Sequence, residues 1–365
     1  MTGPGTHDSI TDVEGIAVGH WQRIDADATV ATAELPGAGW ATGTTVVTLP
    51  AGAVAAVDCR GGAPGTRETD LLDPANTVQT AHAIVLSGGS AFGLTAADGV
   101  MSTLERRGVG LRMDATGNVV PIVPAAVIFD LPVGGWAYRP DAEFGRLALG
   151  ELTTGIVGQG SVGAGAGARA GSLKGGVGSA SVLLADGPAA GITVGALMVV
   201  NPVGSVVDPG TGLPWELATD ELDYFGLQPP SAADRAAYGE LTAKSTVLNT
   251  IIGVLATSAQ LDKAATRRVA IAAHDGLARA VRPAHTPMDG DTIFAVSTGS
   301  IPVPPSPVAV PPGLRPDAAA LAAIGHAAAI VTRRAVINAV IAADAVAGIP
   351  ALRDVLPSAL APRRS

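Results

Sequence analysis

Val247-Leu248-Asn249-Thr250-Ile251-Ile252-Gly253-Val254-Leu255-Ala256-Thr257 sets an Asn-Thr pair at the mouth of an apolar, β-branched run. Upstream, Pro229 to Ser245 is polar and rich in Pro, Ala and Asp, a loop by composition. Downstream, Ile251 to Ala256 reads as a buried strand. Thr250 therefore stands where an exposed linker enters a rigid sheet. Two readings are open. Asn-Thr suits a turn-to-strand junction, since Asn tolerates turn geometry and Thr favours strands. Alternatively, a cut before Thr250 would put its hydroxyl beside a free α-amine, a nucleophile and a base in one residue.

Working outward, strands are expected at Gly15 to Trp21, Gly43 to Leu49, Val54 to Asp58, Ala83 to Leu86 and Ile122 to Leu131. More follow at Ser179 to Leu184, Gly191 to Asn201 and Thr292 to Ser297, the second of these apolar enough to be buried on both faces. Helices are expected at Ala91 to Arg107, Phe144 to Leu152, Leu261 to Val281 and Asp317 to Ala347. Gly155 to Gly178 is a glycine-rich loop region, Pro202 to Tyr224 is turn-rich, and Ile301 to Pro316 is a proline-rich connection. Many strands follow one another with no helix between them. That predicts layers of mixed sheet covered by helices, not a regular doubly wound sheet.

Composition narrows the function classes. Hydrophobic residues make up 47% and aromatics 3%, so the core must be built from Ala, Val, Leu and Ile, with 47 glycines allowing close backbone approach. A net charge of −9, with no cluster of Lys and Arg, argues against nucleic acid as a partner. One cysteine, Cys59, excludes an internal disulfide framework and a multi-thiolate zinc site. Within its apolar run it reads as a packed small residue. Met1 to Ile10 is polar, and no stretch reaches the roughly 18 uninterrupted apolar residues of a membrane span. A soluble, cytoplasmic protein with no membrane partner is the expectation.

Several constellations could carry chemistry. Gly158-Gln159-Gly160-Ser161-Val162-Gly163 has the letters of a dinucleotide loop, but Ala164 to Gly178 is too rich in glycine to be the helix that loop must open. Ser90, after Gly88-Gly89, resembles a nucleophile elbow, but Phe92 stands where that motif needs glycine, and N-capping of the next helix is the plainer role. None of the six histidines pairs with another at metal-ligand spacing. His274 and His326 read as packed or surface helix residues; His285 stands just before Thr286-Pro287-Met288-Asp289-Gly290-Asp291-Thr292. There, Asp289 and Asp291 could form a turn, orient a catalytic base or ammonium, or belong to a metal site that lacks its other oxygen ligands. Asn201 closes a buried strand, as a turn former before proline or as a donor to a developing oxyanion. Lys174 is the one polar side chain of note in its glycine-rich segment.

Taken together and in order, five segments carry a resemblance. They are Asp58-Cys-Arg-Gly-Gly-Ala63, Leu86-Ser-Gly-Gly-Ser-Ala-Phe-Gly-Leu94, Asn201-Pro-Val-Gly, Asn249-Thr250 with its strand, and His285 through Val296. The chain resembles the self-cleaving L-aminopeptidase/D-esterase (DmpA-like) peptidase family over about Ile10 to Ala347, with its Thr nucleophile and Asp-Gly-Asp segment nearest the nylon-oligomer hydrolase branch. The resemblance implies a four-layer α/β/β/α sandwich of the N-terminal-nucleophile type. It implies a single hydrolase domain, 1–365, that cuts itself between Asn249 and Thr250 into fragments 1–249 and 250–365, which stay associated and assemble as a homotetramer. Thr250 would be the nucleophile, Asp289 and Asp291 would orient its amine and hydroxyl, Lys174 would lie near it, and Asn201 would be the oxyanion donor. The substrate would be a small peptide or amide, with no cofactor and no metal. One position departs from the pattern: the family usually has tyrosine where this chain has Phe129. An acyltransferase using the same acyl-Thr intermediate, or a weakly active ligand-binding relative, is the alternative expectation.

Overall fold

The computed structural model describes residues 3–242, 249–306 and 309–361. From the N-terminus come β1 Ala17–Ile24, β2 Ala41–Thr48, β3 Val54–Cys59, β4 Thr66–Arg67, β5 Ala83–Ser87 and α1 Ala96–Arg106. Then come β6 Leu111–Arg112, β7 Val119–Val120, β8 Ala125–Val127, α2 Ala142–Ala148, β9 Arg169–Ala170 and β10 Leu173–Lys174. β11 Gly176–Leu183, β12 Thr193–Asn201, α3 Thr219–Phe225 and α4 Ala232–Gly239 lead to β13 Thr250–Ala259. The chain finishes with α5 Lys263–Ala280, β14 Thr292–Ile301, α6 Ala318–Ile341 and α7 Leu352–Val355.

Two five-stranded sheets result, with orders β1-β2-β5-β8-β4 and β11-β12-β13-β14-β3. β13 lies at the centre of the second sheet, antiparallel to β12 and parallel to β14. All ten of its residues are buried. Its side chains alternate with the period of a strand. Ile252, Val254 and Ala256 join Val47, Ile84, Leu86 and Ala126 of the first sheet in one core between the sheets. Ile251 and Leu255 face outward onto Val269 and Ala273 of α5 and Ile324 and Val331 of α6. On the outer face of the first sheet, Val46, Ala83 and Val85 meet Ala97, Val100 and Leu104 of α1. Three cores separating four layers make the expected α/β/β/α sandwich. A strand covered on both faces cannot alternate apolar with polar, which is why β13 reads as an unbroken apolar run.

Small side chains set how closely the layers approach. A Cβ added to Gly276 of α5 would lie 2.0 Å from the Ala329 carbonyl oxygen of α6. One added to Gly99 of α1 would lie 1.7 Å from that of Ala142 in α2. Helix α6 has the length and mean hydropathy, 1.4, of a membrane-crossing segment, but 56% of its most apolar window is buried inside the protein. Its Ala-rich surface packs on β11, β12 and α5.

The details depart from the sequence reading in several places, α3 within the turn-rich segment and β9 and β10 within the glycine-rich one among them. The strand expected at Ile122 to Leu131 shrinks to three residues between Pro124 and Pro132, which limit ladder pairing. The polar linker contains α4, started by the Ser231 hydroxyl accepting the Asp234 N–H at 3.1 Å, and its residues 243–245 lie outside the described residues, as do Val247 and Leu248. The helix expected from Ala91 begins as a 3₁₀ turn, Ser90–Thr95. Ser90 does not cap it: Gly89 holds the cap position, and Ser90 itself takes φ 51° with its N–H on the Ile128 carbonyl at 2.9 Å. Cys59 is exposed at the end of β3 instead of packed.

Candidate active site

The site is built at one end of β13, where the second sheet meets two loops. Thr250 is the first residue of the strand and pairs with Asn201, the last of β12. Asn249, one residue earlier, bridges to Asp289 in the loop before β14. Thr250, Asn249, Asn201, Asp289 and Asp291 are each at most 5% exposed, a density of buried polar groups that must be satisfied by one another.

The peptide between Asn249 and Thr250 is held from two sides. The Thr250 hydroxyl donates to the Asn249 carbonyl oxygen. The Gly290 N–H donates to the same oxygen at 3.0 Å. A Cβ at Gly290 would come within 2.9 Å of Thr250 Oγ1 and 3.0 Å of the Ala63 carbonyl, so glycine is what lets this loop reach the peptide. Sequence reading passed over Gly290 as the middle of a turn; its signal was its place between two acidic residues.

The carboxylates do different jobs. Asp291 Oδ1 accepts the Ile251 N–H at 2.7 Å, one residue past Thr250, while its Oδ2 accepts from the His285 N–H and Nδ1–H at 3.2 and 2.8 Å. Asp289 Oδ2 accepts the Thr286 N–H at 2.6 Å, and the Asp289 N–H closes a turn onto the Thr286 carbonyl at 3.0 Å. The turn reading and the buried-carboxylate reading of this segment therefore both hold. Asp289 Oδ1 is buried with no hydrogen-bond partner among the described residues. Burial, with the Asp291 charge added, raises the Asp289 pKa above its ordinary value. A cation brought to that oxygen would relieve both costs.

The Asp58–Ala63 segment braces this loop from the far side. Arg60 and Gly61 N–H groups donate to the Asp291 carbonyl at 2.9 and 3.2 Å, and the Ala63 N–H to the Asp289 carbonyl at 2.8 Å. A Cβ on Gly61 would sit 2.2 Å from the Asp289 carbonyl oxygen, so the Gly-Gly pair permits the contact. The bracing role of this segment was not visible in the sequence.

Asn201 is fixed by its own amide. Its Oδ1 accepts the Arg169 N–H at 3.0 Å, and its Nδ2 donates to the Phe129 carbonyl at 3.1 Å. Phe129 thus touches the site through its backbone, while its ring meets Trp136 edge-on with centroids 6.3 Å apart. Lys174 is fully buried, and its Nζ donates to the Gly165 and Gly175 carbonyls at 2.8 and 2.9 Å. Burial lowers its pKa to about 7, partly offset by Asp130 and Asp344. Among the described residues Lys174 makes no hydrogen bond to Thr250. No group of three or more His, Cys, Asp or Glu suited to a metal ion occurs among the described residues.

Comparisons with known proteins agree with this architecture. An uncharacterized aminopeptidase of Mycobacterium tuberculosis is 56% identical over 355 residues, covering 96% of this chain and 98% of that protein. A 6-aminohexanoate-oligomer endohydrolase of Paenarthrobacter ureafaciens is 33% identical over 300 residues, 78% of this chain and 77% of that protein. Among solved structures, a Burkholderia sp. beta-aminopeptidase superposes with a TM-score of 0.69 at 23% identity over 98% of this chain and 96% of its own. The L-aminopeptidase D-Ala-esterase/amidase of Ochrobactrum anthropi, described as a variant of the Ntn hydrolase fold, gives 0.69 at 22% over 93% and 88%. The model of peptidase family S58 matches residues 8–352, and the chain belongs to that family of peptide- and amide-bond hydrolases.

Proposed function

We propose that the chain is a self-processing N-terminal-nucleophile amidohydrolase whose nucleophile is Thr250. The observation that carries this reading is the Asn249–Thr250 peptide, gripped by the hydroxyl that would attack it and by an N–H that would steady the resulting oxyanion. Thr250 Oγ attacks the Asn249 carbonyl carbon and the C–N bond breaks. The hydroxyl proton passes to the departing nitrogen, leaving an ester to Thr250 Oγ. Water hydrolyses the ester, giving an Asn249 carboxylate, the free hydroxyl and a new α-amine. Fragments 1–249 and 250–365 then stay associated, because β13 pairs with β12 and β14 with β3, each pair joining one strand from either fragment.

In turnover the α-amine, with a reference pKa of about 7.7–8.0, takes the hydroxyl proton as Thr250 attacks a substrate amide. An acyl-Thr forms, the substrate amine leaves with that proton, and water releases the acyl group. Asp289, with an unpartnered buried oxygen, is the carboxylate that receives the ammonium. Asp291 holds the backbone behind the nucleophile. Asn201, its amide already oriented by Phe129 and Arg169, offers a donor to the oxyanion. Asn201→Ala is expected to lower kcat about 10²- to 10³-fold with little change in KM, the scale of one lost oxyanion donor. Steady-state kinetics on the processed enzyme checks it. Lys174, with a pKa of about 7, is the acid–base reserve at the edge of the site. Assembly into homotetramers and a cytoplasmic location belong to the same proposal, on the family resemblance.

The substrate class is tested with aminoacyl p-nitroanilides beside 6-aminohexanoate oligomers, each with and without an acceptor amine. Hydrolysis of either set supports an amidohydrolase and separates an exo-aminopeptidase from an internal amide hydrolase. Products that appear only with the acceptor amine point to acyl transfer. No turnover on any member, despite processing, would leave a ligand-binding relative. Phe129, which lacks the family's usual hydroxyl, is the observation that favours this last outcome.

A further inference from the structure

Two imidazoles lie behind Asp291, and the chemistry above makes no use of them. His285 is held at φ 56°, a conformation that few residues other than glycine, Asn, Asp and His adopt readily. It grips one carboxylate oxygen twice, through its backbone N–H at 3.2 Å and its Nδ1 at 2.8 Å. A carboxylate oxygen only accepts, so Nδ1 carries the proton. The other oxygen of the same carboxylate holds the Ile251 N–H at 2.7 Å. One carboxylate therefore links His285 to the residue next to Thr250.

The second imidazole closes the arrangement. His274, on α5, is 1% exposed and sits against the His285 ring, centroids 4.9 Å apart and planes at 68°. Its Nε2 lies 3.1 Å from the Asp58 carbonyl oxygen and 3.6 Å from the Asp58 carboxylate. His274 Nδ1 and His285 Nε2 are both buried with no hydrogen-bond partner among the described residues. Burial lowers the His274 pKa to about 4, so that ring is uncharged at neutral pH and sets no cation against its neighbour. A buried ring nitrogen with no partner carries a desolvation cost, and here two adjacent imidazoles each carry one. Their contacts with Asp291 and Asp58 give them a role beyond packing.

We propose that His285 is a positioning residue for the nucleophile. It locks the Asp291 carboxylate in the rotamer that anchors the Ile251 N–H, with the His274 ring as the wall that fixes its plane. The proposal rests on the reading of Thr250 as the nucleophile. Charge-assisted hydrogen bonds are about twice as strong as neutral ones, so a doubly gripped carboxylate is a stiff support. Loss of the grip lets the start of β13 shift, and small misplacements of a reacting atom cost rate more than binding.

The test compares wild type, His285→Gly, His285→Asn, Asp291→Asn and the double variant His285→Gly/Asp291→Asn. Glycine accepts the φ but removes the ring; asparagine accepts the φ and keeps a side-chain N–H for Asp291. Self-cleavage rates come from denaturing mass spectrometry, kcat and KM from the processed forms. His285→Gly is expected to slow cleavage and lower kcat about 10- to 100-fold with KM little changed. His285→Asn is expected to recover most of that loss. The double variant is expected to be no slower than Asp291→Asn, because both changes break the same link. Wild-type rates in His285→Gly, or losses that multiply in the double variant, overturn the proposal. Should His285→Gly not fold, His285→Asp replaces it, accepting the φ while offering no donor, with the same slow rate expected. A wild type that never cleaves overturns the nucleophile reading, and this proposal with it. A wild type that cleaves beside an unaffected His285→Gly overturns this proposal alone.

Discussion

Thr250→Ala is expected to leave the 365-residue chain uncut and to lower amide turnover about 10⁴-fold or more, the scale on which loss of a covalent nucleophile acts. The substitution removes the hydroxyl that donates to the Asn249 carbonyl. It leaves the Gly290 N–H on that carbonyl, so the peptide stays bound but unattacked. The fold survives, because the β13 backbone keeps its pairing with β12 and β14. Thr250→Ser keeps the hydroxyl and is expected to keep processing. Intact mass and anilide turnover on the three proteins check this. Cleavage of the alanine variant at the wild-type rate would place the nucleophile elsewhere.

Asp289→Asn is expected to separate stability from activity. The Asp289 pKa lies above its ordinary value, first because the group is buried and then because Asp291 is near. The sign follows from linkage. A folded pKa above the unfolded one means that the unfolded chain gives up the proton first as pH rises. Folding stability therefore falls as pH climbs from the unfolded pKa, about 3.9, through the folded one, and the full cost is present above it. An uncharged amide avoids that cost and can still accept the Thr286 N–H. With Thr250→Ala keeping both precursors uncut, the one that also carries Asp289→Asn is thus expected to melt higher at pH 7, with the difference vanishing below about pH 4. The single variant Asp289→Asn keeps its nucleophile. Once cut, it lacks the anion that receives the α-ammonium, and kcat is expected to fall about 10²-fold, the lower end of acid–base contributions. Melting curves across pH, beside kinetics, check both halves. A variant less stable at pH 7 with unchanged kcat would remove Asp289 from the mechanism.

How much of this was legible in the sequence depends on how local each feature is. β13 could be read because Ile251 to Ala256 are consecutive, apolar and buried, with no polar residue among them to suggest a loop. β12 was legible for the same reason, and α5 because its apolar residues recur with the period of an amphipathic helix. The pairing of β3 beside β14 was not, because Val57 and Phe294 are partners across more than half the chain. Nor was α4, whose Ala-Ala-Asp-Arg-Ala-Ala-Tyr run looks like linker until Ser231 is recognised as its cap. The short β8 was over-read because apolar residues on both sides of Pro124 mimic one long strand.

At the site, Thr250, Asp289, Asp291 and Asn201 could be named from sequence only through their family order. Each of them alone also suits a turn or a strand end. The structure brings these four together at one end of β13. The Lys174 ammonium donates to two glycine carbonyls, partners that no spacing could have announced. His274 stayed hidden as a helix residue because its neighbour, His285, lies in a loop after the helix has ended. Gly290 stayed hidden because its contribution is a backbone N–H, which residue type does not report.

The central claim is that this chain cuts itself before Thr250, and the mass of the purified wild-type protein under denaturing conditions tests it most directly. The account predicts two masses, one for residues 1–249 and one for residues 250–365 beginning with a free threonine amine. A single full-length mass after prolonged incubation, identical to that of Thr250→Ala, would contradict it.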